Sequence, residues 1–309
     1  MKFAFVFPGQ GHQSVGMMKA YGDEIVLRHT FDEASRALGE DLWQMVITGP
    51  AEVLARTTNT QPIMLTAGIA VYRLWRERGG GVPTVLAGHS LGEYSALVVA
   101  GVLGFSDAVR LVRLRAEAMQ GAVPVGEGAM AALLGLDEPN ARMACERAAQ
   151  GQVVSCANLN APGQIVIAGH TAAVERAVSV AREMGAKKAV MLHVSAPFHC
   201  SLMEPAAEQL KHRLESLELR PPEIPVIHNV DVQSHTDPAR IRDALVRQAY
   251  SPVRWIETIQ TMVKLGCTRV IECGPVHILS PFTKRIDHGL QGMPLSDIVS
   301  IDNARTAVA

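Results

Sequence analysis

The stretch Val85-Leu86-Ala87-Gly88-His89-Ser90-Leu91-Gly92 constrains the fold more than any other part of the chain. An apolar run ends at a glycine, and a serine follows in the spacing G-x-S-x-G, the pattern of a nucleophile elbow. At such an elbow the backbone turns sharply from strand to helix, and small flanking glycines let the two segments pass close together. The serine is then held in a strained conformation at a helix N-terminus, where backbone N–H groups favour nearby negative charge. Two glycines around a serine also occur in ordinary turns, so the rest of the chain has to supply what a reactive serine needs.

The 309 residues are 48% hydrophobic, enough for one large domain with an insertion or for two domains. A net charge of −1 gives no global field toward nucleic acid or an anionic membrane, and neither partner is expected. The five cysteines (Cys145, Cys156, Cys200, Cys267, Cys273) form no C-x-x-C pair. They read as reduced thiols, with neither a disulfide framework nor a metal site. After Met1-Lys2 only five apolar residues, Phe3 to Phe7, precede Pro8-Gly9. A signal-peptide core needs about 7–15, so this run reads as a buried first strand. The longest apolar stretch, Ala96 to Phe105, is broken by Gly101 and Gly104. It falls short of the roughly 18 residues that argue for a membrane span, and a cytoplasmic protein is expected.

Short apolar runs alternate with longer helical patterns. Strands are expected at Phe3–Phe7 and Thr84–Ala87, and helices at Gln61–Arg78 and Gly92–Ala100. This alternation favours a parallel sheet covered on both faces. Ser106 is the expected N-cap of a helix running through Gln120. After Pro124 the rhythm changes to strand Ala129–Leu136, helix Glu138–Gln150, strand Val153–Ala157, strand Gln164–Ala168, helix Ala172–Met184 and strand Lys188–Val194. That β-α-β-β-α-β order is the ferredoxin-like unit. Apolar strands then return at Val226–Val230 and Thr268–Glu272. The expected architecture is therefore α/β: a large domain from residues 1–124 and 195–309, split by a small α+β subdomain at 125–194, with a cleft between them.

A nucleophilic Ser90 needs a base, because an alcohol is un-ionised near neutral pH. Of eleven histidines, His89 should point away from Ser90, and His199 is placed best, where a small-domain strand ends at a proline-containing turn. Cys200 ranks low as a nucleophile, since buried structural thiols are common. A Ser–His pair also needs a group that fixes the imidazole tautomer. Asp231, Glu272 or a backbone carbonyl would serve, and the residues alone select none of them. The loop Phe7-Pro8-Gly9-Gln10-Gly11-His12-Gln13 can turn N–H groups toward an oxyanion. Gly9, Gly11 and Ser14, with Asp32 downstream, only approximate a dinucleotide fingerprint. Of the arginines Arg113 and Arg115, one facing inward could pair with a substrate carboxylate.

Eight segments in this order carry a family resemblance. They are Pro8-Gly9-Gln10-Gly11, Gly88-His89-Ser90-Leu91-Gly92-Glu93, Arg115-Ala116-Glu117-Ala118-Met119 and Gly126-Glu127-Gly128-Ala129-Met130. The others are Asn158-Leu159-Asn160-Ala161-Pro162-Gly163-Gln164, Phe198-His199, Gln248-Ala249-Tyr250-Ser251-Pro252-Val253 and Glu272-Cys273-Gly274-Pro275. Together they resemble malonyl-coenzyme A:acyl-carrier-protein transacylases and the acyltransferase domains of fatty acid and polyketide synthases.

The resemblance implies a hydrolase-like α/β domain with a ferredoxin-like insertion. It implies a ping-pong transfer of malonyl from malonyl-coenzyme A to the phosphopantetheine thiol of an acyl carrier protein, supplying fatty acid synthesis. Ser90 would be the acylated nucleophile, His199 its base, and the Gln248 backbone carbonyl the orienting group. The N–H groups of Gln10 and Leu91 would form the oxyanion hole, Arg115 would hold the malonyl carboxylate, and Phe198 and Asn158 would contact substrate. No metal or redox cofactor is implied, and a monomer is expected. Three positions depart from the commoner pattern: Ala116 for glycine, His12 for serine, and Phe198 where serine is frequent. An aromatic before the histidine resembles malonyl-selecting polyketide acyltransferases. Lys187-Lys188 and Lys284-Arg285 are candidates for a basic rim that meets an acidic carrier. Rival readings are the transacylase subunit of a malonate decarboxylase, a trans-acting polyketide acyltransferase, an acyl hydrolase, and a binding module with a silent serine.

Overall fold

The computed structural model describes all 309 residues, Met1–Ala309. The chain opens with strand β1 (Phe3–Phe7), helices α1 (Ile25–Leu38), α2 (Leu42–Thr48), α3 (Ala51–Leu54) and α4 (Thr57–Glu77), and strand β2 (Val85–Gly88). Helices α5 (Gly92–Val99) and α6 (Phe105–Gly121) lead into a second unit. It consists of β3 (Gly128–Leu134), α7 (Glu138–Ala149), β4 (Val154–Ala161), β5 (Gln164–His170), α8 (Thr171–Glu183) and β6 (Lys188–Leu192). The chain then returns through α9 (Glu204–Glu215), β7 (Val226–Ile227), α10 (Pro238–Gln248) and α11 (Trp255–Lys264). It ends with β8 (Arg269–Glu272), α12 (Ser280–Ile286), β9 (Gln291–Pro294) and α13 (Ile298–Val308).

The first sheet has the order β7-β2-β1-β8-β9, and every neighbouring pair is parallel. Its central strand explains why its sequence is a continuous apolar run. Alternate residues of a strand face opposite sides, and here both sides are covered. Phe3, Phe5 and Phe7 pack into the core that contains Trp75 and the apolar faces of α4 and α6. Ala4 and Val6 pack on the opposite side with Trp255, Ile259 and Met262 of α11.

The second sheet is antiparallel, in the order β4-β5-β3-β6. Its alanine-rich helices α7 and α8 share a separate core with Leu133, Ile165 and Ile167. A fourth apolar cluster joins Met119 of the large unit to Met130, Val166 and Phe198. The active-site cleft described below opens beside this seam.

Several boundaries differ from expectation for identifiable reasons. Helix α6 starts at Phe105 with Gly104 as N-cap and no side-chain cap, so Ser106 lies inside the helix rather than ahead of it. Strand β7 stops after Ile227 because the next two residues leave the sheet to bond the buried Glu93 carboxylate: His228 through its ring and Asn229 through its backbone N–H. Strand β4 extends to Ala161, further than expected, across register shifts that carry Asn158 and Asn160 to the cleft.

Candidate active site

Ser90 occupies the turn between β2 and α5, with φ of 53°. That left-handed conformation is costly for a residue with a side chain, and the flanking glycines explain how the turn is tolerated. A Cβ on Gly88 would lie 1.8 Å from the Gly92 carbonyl carbon, and one on Gly92 would lie 2.0 Å from the Phe7 oxygen. Asn229 secures the turn from the other side: its Oδ1 accepts from the Ser90 N–H at 2.8 Å, and its Nδ2 donates to Gly88 O at 2.7 Å.

His199 reaches the serine from the segment after β6, and it too has a left-handed φ, of 62°. Its Nε2 lies 2.7 Å from Ser90 Oγ, and its Nδ1 donates to the Gln248 carbonyl at 3.0 Å. The second bond fixes the tautomer that leaves Nε2 as the acceptor facing the hydroxyl. Burial, and after it the Arg115 charge, hold this imidazole down at about 3, so it is neutral near pH 7.

The two carboxylates weighed for orienting a histidine are engaged elsewhere. Asp231 pairs with Arg247 and His235. Glu272 is buried and accepts from the backbone N–H groups of Ile278, Leu279 and Ser280.

Arg115, on α6, is 2% exposed and projects inward. Its Nη1 donates to Gln61 Oε1 at 2.8 Å, and its Nη2 donates to Gln248 Oε1 at 3.0 Å and to Ser90 Oγ at 3.2 Å. The guanidinium lies over the Tyr94 ring, and its Nε has no partner. A buried cation without a facing carboxylate is expensive. Arg113 turns outward instead and pairs with Glu40.

Gln10 and Leu91 each present a backbone N–H that donates to no acceptor within the chain. The Gln10 side chain is fixed by Thr57, whose hydroxyl donates to its Oε1 at 2.8 Å. Ser90, His199, Arg115 and Gln10 border a cavity of about 410 Å³ between the two units. The small unit contributes Met130 and Val166 to its wall, and Phe198 and Asn158 also line it. Asn158 Oδ1 is buried there without a partner. His89 does turn from the serine: its Nε2 bonds Asn160 Oδ1 at 2.8 Å, and burial lowers it to about 4. Cys200 sits behind the histidine, buried, with its thiol donating to Pro197 O and pushed up to about 11 by desolvation. Such a thiol is a poor nucleophile. Asp32 pairs with Arg28 on the outer surface, which removes the dinucleotide reading of the glycine-rich loop.

Several residues of the site were not singled out in the sequence: Gln61, Thr57, Tyr94, Asn160, His228 and Asn229. Polar residues interrupting apolar runs, as in Thr60-Gln61-Pro62-Ile63 and Val226-Ile227-His228-Asn229, were the available signal.

No helix is long and apolar enough to cross a membrane. The family model described as acyl transferase domain matches residues 4–298. The chain is 52% identical over 297 residues to the malonyl CoA-acyl carrier protein transacylase of Escherichia coli K12, covering 96% of both chains. It is 46% identical over 305 residues to the protein of that name from Bacillus subtilis, covering 98% of this chain and 96% of the other. Among solved structures, an acyl-carrier-protein S-malonyltransferase from Burkholderia pseudomallei superposes with a TM-score of 0.98 at 54% identity, covering 99% of this chain and all of the other. A malonyl-transacylase solved in complex with a type II PKS acyl-carrier protein also gives a TM-score of 0.98, at 48% identity, over 99% of this chain and 100% of that one.

Proposed function

The chain belongs to the acyl transferase family, and from that premise we propose that it transfers malonyl from malonyl-coenzyme A to the phosphopantetheine thiol of an acyl carrier protein, through a malonyl ester on Ser90. The observation that carries this reading is the placement of a buried, carboxylate-seeking Arg115 within hydrogen-bond reach of the same hydroxyl that faces His199.

In the first half-reaction Ser90 Oγ bonds to the thioester carbonyl carbon while its proton passes to His199 Nε2. The oxygen that gains charge is met by the N–H groups of Gln10 and Leu91, each donor of this type being worth about 100–1000-fold in rate. The carbon–sulfur bond then breaks, and the coenzyme A sulfur takes the proton back from His199. The second half-reaction runs the same steps in reverse, with the carrier thiol giving its proton to His199 and attacking the ester. One thioester is exchanged for another, so no metal or redox cofactor is required. Arg115 pairs with the free carboxylate, Phe198 narrows the acyl end of the cavity, and Asn158 offers its unpartnered oxygen to a donor on the pantetheine arm.

The small unit, residues 125–194, is read as a ferredoxin-like insertion in a hydrolase-like domain formed by 1–124 and 195–309; its β-α-β-β-α-β order supports this. The protein is further read as a cytoplasmic monomer that serves fatty acid synthesis. The likeness to a transacylase solved with a polyketide carrier favours a polyketide carrier as the second reading. Intact mass spectrometry after incubation with malonyl-coenzyme A tests the proposal. One malonyl adduct on the wild type, absent from Ser90→Ala and removed by holo carrier protein, is expected. A folded wild type that gains no adduct would overturn it.

A further inference from the structure

Glu93 lies one residue after the second elbow glycine, is completely buried, and is not required by the chemistry described above. Three donors converge on it. His228 Nδ1 lies 2.7 Å from Oε1, while the Asn229 backbone N–H and Gln248 Nε2 donate to Oε2 at 2.9 and 2.8 Å. The Gln248 amide therefore spans two buried ionisable side chains. Its nitrogen donates to the Glu93 carboxylate and to the Ser90 backbone oxygen at 3.0 Å, and its oxygen accepts from Arg115 Nη2 at 3.0 Å. The same residue supplies the backbone carbonyl that receives His199 Nδ1–H.

An amide can present either end to a neighbour, and the groups around it choose. A carboxylate surrounded by three donors accepts only, so it admits the –NH₂ end of Gln248 and turns the C=O end to Arg115. With an amide in place of the carboxylate, one of the two acceptors that hold the –NH₂ end becomes a group that can itself present a donor, and the Ser90 carbonyl is left to hold that end alone. A flipped Gln248 would aim its –NH₂ at the guanidinium, donor against donor, and displace it from the serine.

We propose that Glu93 is a positioning residue for malonyl selectivity: acting through the side-chain amide of Gln248, it sets where Arg115 meets the substrate carboxylate. The inference rests on the roles assigned above to Ser90, His199 and Arg115. Its readout is the ratio of malonyl to acetyl loading rates. Loss of folded protein scales both rates alike, so a merely structural role leaves the ratio unmoved.

The full-length wild type, Glu93→Gln, Gln248→Met, the double variant and Ser90→Ala are each given malonyl- or acetyl-coenzyme A, quenched at intervals and weighed intact. Gln248→Met removes the amide from the middle of the linkage but keeps the backbone carbonyl. The ratio is expected to fall by at least about fivefold in each single variant and no further in the double, the pattern of residues acting as one unit. A ratio within about twofold of wild type in folded Glu93→Gln overturns the inference, as does additivity in the double variant. Should Glu93→Gln fail to fold, Gln248→Met decides by the same criterion. An adduct on Ser90→Ala would instead overturn the underlying assignment of the nucleophile.

Discussion

Arg115 donates to the hydroxyl oxygen of Ser90 at 3.2 Å, the oxygen that His199 Nε2 faces at 2.7 Å. The group proposed to recognise the substrate thus also rests on the proposed nucleophile. On the proposed mechanism a substrate carboxylate draws the guanidinium to itself and leaves the serine to its base, whereas an acetyl group offers the guanidinium nothing in exchange.

Replacing Arg115 by alanine should therefore act selectively. Malonyl loading should fall by an amount corresponding to about 2–5 kcal/mol, the range for removing one partner of a buried charge pair. Acetyl loading should hold or rise. Single-turnover loading followed by intact mass is the measurement, and equal losses with both substrates would contradict the clamp.

The cavity wall makes a second selectivity prediction. Phe198 lines the cavity and is 7% exposed. Phe198→Ala should open room beside the acyl chain and raise loading from methylmalonyl-coenzyme A relative to malonyl-coenzyme A by about tenfold, the scale of one methyl group in an apolar pocket. Competition between the two thioesters checks it; an unchanged preference would place the methyl-excluding wall elsewhere.

The elbow should tolerate no added methyl group. Gly88→Ala puts a Cβ 1.8 Å from backbone that cannot yield as a side chain would. A loss of at least about 3 kcal/mol, or failure to fold, is expected. Gly121→Ala, where the added carbon meets nothing within 4 Å, is the control and should be neutral or slightly stabilising. Urea denaturation of both variants separates the cases.

Stability should fall as the solution is acidified, through two buried imidazoles. Burial and the Arg115 charge bring His199 to about 3, and burial brings His89 to about 4, both from an ordinary 6.5. Below 6.5 the unfolded chain binds protons that the folded chain refuses, so stability rises with pH through this window and drops as pH falls. For His89 the loss runs from about 6.5 down to about 4, and for His199 down to about 3. His199→Gln should flatten the dependence of the urea midpoint between pH 6.5 and 4. A slope equal to wild type would show that His199 is not held neutral.

The sheet was legible in the sequence because parallel strands buried on both faces must be apolar throughout, as Phe3–Phe7 is. Ser90 was legible because its glycines are demanded by backbone crowding at a single turn. The base was reached only in part: a histidine at the end of a strand is common, and its partner across the cleft is set by tertiary packing. The orienting group carried no residue-type signal, since any residue at position 248 has a carbonyl; the family resemblance named it. Gln61, His228 and Asn229 escaped notice because their value lies in partners far along the chain, on α6 and at the elbow. The β7 boundary has the same origin: the strand ends early because the backbone N–H of His228 goes to Gln233 O and that of Asn229 to the Glu93 carboxylate.

The interrupted large unit also has a consequence for how the protein comes into being. During synthesis Ser90 emerges well ahead of His199 and Gln248, and β1 lacks one neighbour until Arg269–Glu272 has been made. Units that emerge first generally fold first, yet here the first half carries the proposed nucleophile and Arg115 with its Gln61 partner, but neither His199 nor Gln248. On the proposed mechanism its reactivity switches on only when the segments carrying His199 and Gln248 dock. On that mechanism a chain that ends before His199 holds an ordinary alcohol, and it cannot draw malonyl groups out of circulation onto a protein that has no means of passing them on.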